Sequence, residues 1–331
     1  MKFGPVPLAD AEGAILAHSV ATPSGRLRKG LKIGTKEQLA LEAAGLDEIT
    51  VARLEYGDIH EDEAALQVAL AILGPKPSST GLRMSKAATG RVNLYSNVRG
   101  VVELQADSIR AFNAIHPMIT LATVPPWHFM QEGGMVATVK IISYGVPRDA
   151  LGPALEVASQ VMRMRPTAIR DAVLVQTVVN DDDGETGHRA IVKRVQALGL
   201  PGLRKVVVPH REAEIAAALS ATSEDLILIL TGSATSDDND TAPAALRLAG
   251  GEVERFGMPV DPGNLLFLGR LGSRSVIGLP GCARSPASNG ADWVLERVAC
   301  SVAVSGDDIA AMGVGGLLKE IPSRPQPRER S

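Results

Sequence analysis

The spacing of apolar residues changes along this chain, and each change predicts a different kind of structure. Up to about residue 75 the apolar runs are short and broken by polar turns. Strand-like pieces around AILAHSV and the turn SGRLRKG precede a helix over TKEQLALEAAG, a strand over EITVARL and a helix from about Glu61 in HEDEAALQVALAIL. Thr35, with Gln38 three residues on, reads as the cap that precedes the first helix, and Gly45 closes it. The stretch GPKPSST, two prolines among small polar residues, reads as a linker. From about 80 to 148 short apolar runs recur in GRVNLYSN, GVVELQ, ITLATV and MVATVKIIS, with a helix over DSIRAFNAIH. The β-branched ITLATV and MVATVKIIS flank a Pro-Pro and a Gly-Gly, which predicts two strands joined by a tight, ligand-capable loop in a small β-rich α+β domain.

From about 149 to 304 the rhythm becomes strand, helix, strand, helix. DAVLVQTVV precedes GHRAIVKRVQALG, KVVVPH precedes EAEIAAALSA, and the fully apolar DLILILTGS precedes TAPAALRLAGG. Continuous apolar runs such as LILIL are what buried parallel strands require, so this half predicts a three-layer α/β/α domain with a parallel-rich sheet. Ligands of open α/β sheets sit beyond the carboxyl ends of the strands. The loops after Val179, His210 and Leu230 therefore become the places to look. The end of the chain, IPSRPQPRERS from Ile321 to Ser331, has too little apolar surface to order itself and is expected to be disordered.

Composition narrows the function. With 45% hydrophobic but only 3% aromatic residues in 331, the core must be aliphatic and large enough for two or three domains. A net charge of -3 offers no basic surface for nucleic acid. Cys282 and Cys300 have no partner at zinc-ligand spacing and suggest no disulfide framework, which fits a reducing cytoplasm. No export signal is apparent, and no run of about 18 apolar residues suggests a membrane span.

Three loops carry candidate chemistry. VVNDDDGETG, Val178 to Gly187, sets three aspartates beside a strand end, where they could take Mg²⁺ or simply favour the helix start that follows. In LTGSATSDDNDTAPAAL, Thr231, Gly232, Ser233, Ala234 and Thr235 form a turn of small residues whose N–H groups can approach an anion. Asp237, Asp238 and Asp240 follow, so the loop suits a phosphate with a divalent metal held by Asp238 and Asp240. Helix capping by Asp240 or Thr241 is the equal alternative. The third loop lies within GMPVDPGNLLFLGRLGSRSVIGLPGCARSP, where glycine or proline falls at almost every third residue. Gly269 to Gly272 suggests a hairpin, and Pro280-Gly281 ends its second strand at Cys282, Ala283, Arg284 and Ser285. Arg284 and Ser285 are phosphate-type ligands or surface groups, and Cys282 is a soft-metal thiolate or, as is commoner, a structural cysteine. Cys300 reads as core. His210 reads as a ligand contact or part of an ordinary loop, and Arg91, Asn93, Trp127 and His128 as a second wall of the site or, preferably, structural groups.

These motifs together resemble the molybdopterin-binding fold shared by molybdopterin adenylyltransferases and molybdopterin molybdotransferases. The family's strand, Thr-Gly-Gly, small-residue loop and Asp-x-Asp resemble Thr231 to Asp240. Its Gly-Met-Pro-Val-x-Pro-Gly and Gly-Leu-Pro-Gly-Asn-Pro resemble Gly257 to Gly263 and Gly278 to Gly281, with Asn-Pro replaced by Cys282-Ala283. The resemblance, over residues 170 to 304, implies that the rigid turns shape a strand-end floor for a pterin and its phosphate. Site residues would be Thr231, Gly232, Ser233, Ala234, Thr235, Pro280, Gly281, Cys282, Arg284 and Ser285, with Asp238 and Asp240 as catalytic or Mg²⁺ ligands and ATP or an adenylated pterin as co-ligand. The chain also departs from the family. Glu185-Thr186-Gly187 stands where Asp-Ser-Asn is usual, Ser233 replaces a glycine, and neither the Met-Asp-Gly-Tyr-Ala segment nor an LxGGxSxRMG-like nucleotidyltransferase motif is present. A molybdopterin carrier in cofactor biosynthesis or delivery is therefore expected ahead of a Mg²⁺-dependent transferase, with an unrelated nucleotide-binding regulator third. A homo-oligomer is expected, and the partner would be a nucleotidyltransferase or a molybdoenzyme.

Overall fold

The computed structural model describes residues 1–179, 185 and 187–318. The aspartate run after Val179, Thr186 and the tail from Ile321 lie outside the described residues. By contacts, the chain divides into one unit of Met1–Val98 with Val102–Met164 and a second of Arg99–Val101 with Arg165–Ser331. No helix among the described residues is long and apolar enough to cross a membrane.

The first unit is built on antiparallel sheets. Lys2–Pro7 pairs with Glu48–Arg53, which also carries Ile15–Leu16, over a small core containing Leu16, Ile33, Leu41 and Val51. The helix Thr35–Glu42 begins one residue earlier than expected, with Thr35 inside it rather than capping it. Gly34 is the cap residue, and its N–H is taken by the Glu37 carboxylate at 3.1 Å. A carboxylate three residues into the helix reaches back to the entering backbone more easily than the Gln38 amide, which instead donates to the Leu8 carbonyl at 2.9 Å. A second sheet, in the order Ile119–Thr123, Met135–Ile141, Arg91–Ser96 and Leu82–Met84, packs on the helix Glu61–Leu73. ITLATV and MVATVKIIS thus form an antiparallel pair, with Trp127 in a left-handed conformation in their connection.

Strands and helices of the second unit are numbered here within that unit. The strands are β1 (Ala172–Val178), β2 (Arg204–Pro209), β3 (Leu226–Leu230), β4 (Glu252–Phe256), β5 (Phe267–Leu271) and β6 (Arg274–Leu279). The helices are α1 (His188–Ala197), α2 (Glu212–Ser220), α3 (Thr241–Leu248) and α4 (Gly290–Ala299). One sheet runs β2-β1-β3-β6-β5-β4. β2, β1, β3 and β6 are parallel, while β5 and β4 are joined antiparallel at one side. All five residues of β3 are buried, as a strand covered on both faces must be. On one face Val173, Val175, Ile227 and Ile229 pack against Ile215 and Leu219 of α2 and Ala245 and Leu246 of α3. The alternate residues Leu174, Leu228 and Ile277 are also fully buried, which requires cover on the opposite face. α1 and α4, neighbours joined by an Arg194–Asp292 ion pair, supply it. The hairpin expected near Gly269 turns at Gly272-Ser273, with Gly269 and Arg270 still in β5, where they pair with Val276 and Ser275.

The strand order positions the site. From β1 the chain moves outward to β2 and then returns to the other side of β1 as β3. The connections leaving β1 and β3 therefore diverge, and a crevice opens between their carboxyl ends.

Candidate functional site

Three strand ends meet at that crevice through one hydroxyl. The Gly232 N–H, just past β3, donates to Thr177 Oγ1 of β1 at 2.8 Å. The same hydroxyl lies 2.9 Å from Nδ1 of His210, which follows β2. Gly232 is required here by close approach, because a Cβ at this position would lie 2.9 Å from the Thr177 carbonyl oxygen and 3.1 Å from the Val179 nitrogen. The loop is drawn against β1 by backbone and then turns away. Thr231 and Thr235, both buried, bring their hydroxyls to 3.4 Å across its base. Between them Ser233 and Ala234 are exposed, and the N–H groups of Ser233, Ala234 and Thr235 have no acceptor among the described residues. Successive backbone donors left open beside a strand end are a physical basis for anion binding.

β6 delivers the opposite side. Leu230 and Leu279 are register partners, so Thr231 and Pro280 leave adjacent strands at the same edge. After Pro280 the chain makes a short turn over Gly281–Arg284, closed by the Ala283 N–H on the Pro280 carbonyl at 2.9 Å. Arg284 then reaches back and donates from Nη2 to the Thr231 carbonyl. Its aliphatic stem lies on Gly187, which precedes α1 at φ +86°; a Cβ there would come within 2.5 Å of Arg284 Cγ. The expected cluster of residues 231–235 and 280–285 is thus one edge of one sheet, with a guanidinium spanning it.

The acidic residues are placed differently from the small ones. Asp238 Oδ2 accepts from Arg247 Nη2 at 2.6 Å, and its carbonyl accepts from Nη1. Asp240 precedes α3 and accepts from Thr241 N at 2.7 Å and Ser236 N at 2.9 Å. These bonds, that from Ser236 foremost, hold its carboxyl below the ordinary carboxylate range. Of the two readings open for this loop, helix capping is the geometry present. No three His, Cys, Asp or Glu residues converge to hold a metal ion among the described residues. Asp238 and Asp240, engaged in this way, do not form a ready-made Mg²⁺ site among the described residues. Replacing Asp240 with alanine is expected to cost about 0.5–2 kcal/mol in denaturant unfolding, because two backbone donors lose their acceptor. An unchanged midpoint would count against the capping role.

Burial pushes the Cys282 thiol up, which disfavours the thiolate a soft metal needs. The Ser285 hydroxyl accepts from Ala287 N at 3.2 Å. Cys300 is buried, as a core residue. Asn93 lies in a side-chain network of its own sheet, accepting from Thr138 Oγ1 at 2.8 Å and donating to Tyr95 Oη at 3.3 Å. A pocket of about 470 Å³ lies at the other end of the strands, among Ile169, Asp225, Ser275 and Val304. It is far less suited to the loop chemistry than the carboxyl edge. Sequence reading missed Thr177, although a hydroxyl inside the apolar VLVQTVV was the available signal.

Residues 173–298 match the family model of a probable molybdopterin binding domain, and residues 5–53 that of a domain of unknown function, DUF8806. No curated protein matches the chain. Among solved structures, the molybdopterin biosynthesis MoeA protein from Pyrococcus horikosii is similar at 14% identity, over 91% of this chain and 75% of its own, with a TM-score of 0.32. A MogA structure is similar at 22% identity, over 40% of this chain and 91% of its own, with a TM-score of 0.28.

Proposed function

We propose that this protein, whose residues 173–298 match the family model of a probable molybdopterin binding domain, binds molybdopterin at the carboxyl edge of its parallel sheet and carries it in molybdenum cofactor biosynthesis or delivery. The supporting observation is the run of open amides at Ser233, Ala234 and Thr235, in the loop whose Thr231 carbonyl accepts from Arg284. The phosphate of the pterin is the group those donors suit. In this reading Thr231 and Gly232 fix the loop, and Pro280, Gly281 and Cys282 form the floor. Arg284 turns part of its donor fork to the ligand while holding the Thr231 carbonyl.

A carrier is favoured over a catalyst by the way the carboxylates are engaged. A transferase must stabilise charge that appears only in the transition state, so its metal ligands have to be available then, whereas a carrier needs only ground-state affinity. Here Asp238 is paired with Arg247 and Asp240 holds two backbone amides. Glu185, in the place where the family usually has an acidic residue, is bound to Lys205 at 2.6 Å. The alternative, a Mg²⁺-dependent adenylyl- or molybdotransferase using ATP, requires Asp238 and Asp240 to leave these partners. The recipient of the pterin would be a nucleotidyltransferase or a molybdoenzyme.

Anaerobic titration of the purified protein with molybdopterin and with its adenylated form, with and without Mg²⁺ and ATP, tests both levels. Binding of the pterin without Mg²⁺ and negligible ATP turnover are expected. No binding would remove the whole reading, and rapid ATP-dependent adenylation would replace the carrier with the enzyme.

A further inference from the structure

We infer that Arg194 is the positioning residue of this site: it fixes the 281–289 loop in space and through that loop aims Arg284 at the crevice. The inference rests on the pterin-site reading for its functional consequence, but its geometry stands independently. Arg194 lies near the end of α1, away from both loops in sequence, and its side chain is only 11% exposed. Its fork is divided among three elements. Nε donates to Asp292 Oδ1 of α4 at 2.5 Å, Nη1 to the Ala283 carbonyl at 2.9 Å, and Nη2 to the Ala287 carbonyl at 2.8 Å. The second Asp292 oxygen accepts from Asn289 N at 2.8 Å and so caps the first turn of α4.

The two carbonyls that Arg194 grips bracket Arg284. The loop's own bonds, Ala283 N to Pro280 O and Ser285 N to Cys282 O, shape the turn but do not locate it relative to β3 or α1. Arg284 itself touches the end of β3 and Gly187 before α1, and the backbone on either side of it is tied to α1 and α4 by the Arg194 guanidinium, anchored to an adjacent carboxylate. A buried ion pair is a weak source of net stability, since an apolar pair of similar volume often serves as well, so stability alone does not account for it. Specifying the position of a loop does. Arginine is suited to the task because its planar donors can serve a carboxylate and two carbonyls at once, which a lysine ammonium on one flexible stem cannot do in the same geometry.

The experiment combines a double-mutant cycle with hydrogen exchange. Arg194→Ala is expected to weaken molybdopterin binding by roughly 10- to 100-fold, the scale of a displaced positioning group. Arg194→Lys should fall between it and the native protein. If Arg194 acts through Arg284, the Arg194→Ala/Arg284→Ala protein binds no more weakly than Arg284→Ala alone. Amide exchange in Arg194→Ala should accelerate at 281–289 and stay slow in β1 and β3. Native-like affinity in Arg194→Ala, or losses that add in the double variant, overturns the inference. Unchanged exchange at 281–289 also overturns it, whether or not the pterin binds. If Arg194→Ala does not fold, the same readouts on Arg194→Lys decide. Failure of the native protein to bind, with exchange at 281–289 accelerated as expected, would instead overturn the pterin reading and leave the clamp standing.

Discussion

At pH 8 the Glu296→Gln protein unfolds at a higher temperature than the native one, and the difference shrinks to nothing as the pH is lowered towards 4. Glu296 is half-buried on α4, one turn after Asp292, so two carboxylates share a helix face. Burial first, and Asp292 second, push its carboxyl from an ordinary 4.5 up to about 8. Neighbouring Arg297 does not offset this fully, being itself pulled below its usual range by burial. The folded protein therefore keeps a proton on Glu296 that the unfolded chain releases above 4.5. Stability falls as pH rises through that window and levels off beyond about 8. Glutamine keeps the shape and removes the titration. The gain at pH 8 is roughly 2–4 kcal/mol, less than the full shift implies because the site is not sealed from water. Thermal melts of both proteins from pH 4 to 9 measure it. Parallel curves would mean that Glu296 titrates normally in the fold.

Gly232→Ala is expected to damage fold and site together. The added methyl would be pressed between the Thr177 carbonyl at 2.9 Å and the Val179 nitrogen at 3.1 Å, backbone atoms at the end of a central strand that cannot swing aside. The loop must move instead, and its bond to Thr177 Oγ1 is lost with it. Overpacking of this kind costs about 1–3 kcal/mol. The same displacement shifts the amides of Ser233 to Thr235 from their place at the strand end, so pterin affinity should drop at least about tenfold, as for a misplaced binding group. Urea unfolding read beside a binding titration checks both. A variant with native midpoint and native affinity would show that the loop is not seated by Gly232.

The alternation of helix and strand was legible in the sequence because it depends on short-range periodicity. LILIL could only be a strand buried on both faces, and EAEIAAALS only a helix with one apolar side. The edge carrying Thr231 to Thr235 and Pro280 to Ser285 was legible for a related reason. Parallel strands all end on one side, so any loop following such a strand joins that edge. What each side chain does there was not legible. Asp238 and Asp240 look alike as loop carboxylates, and only the fold sets Arg247 against one and two backbone amides against the other. The Thr177 hydroxyl meets Gly232 and His210 because β1 lies between β2 and β3, an order that the amino-acid pattern does not state. Arg194 and Asp292 are 98 residues apart and carry no motif. Local propensity decides which segments are strands and helices, but a contact over such a separation exists only once packing has brought α1 and α4 side by side, and tertiary structure alone decides that.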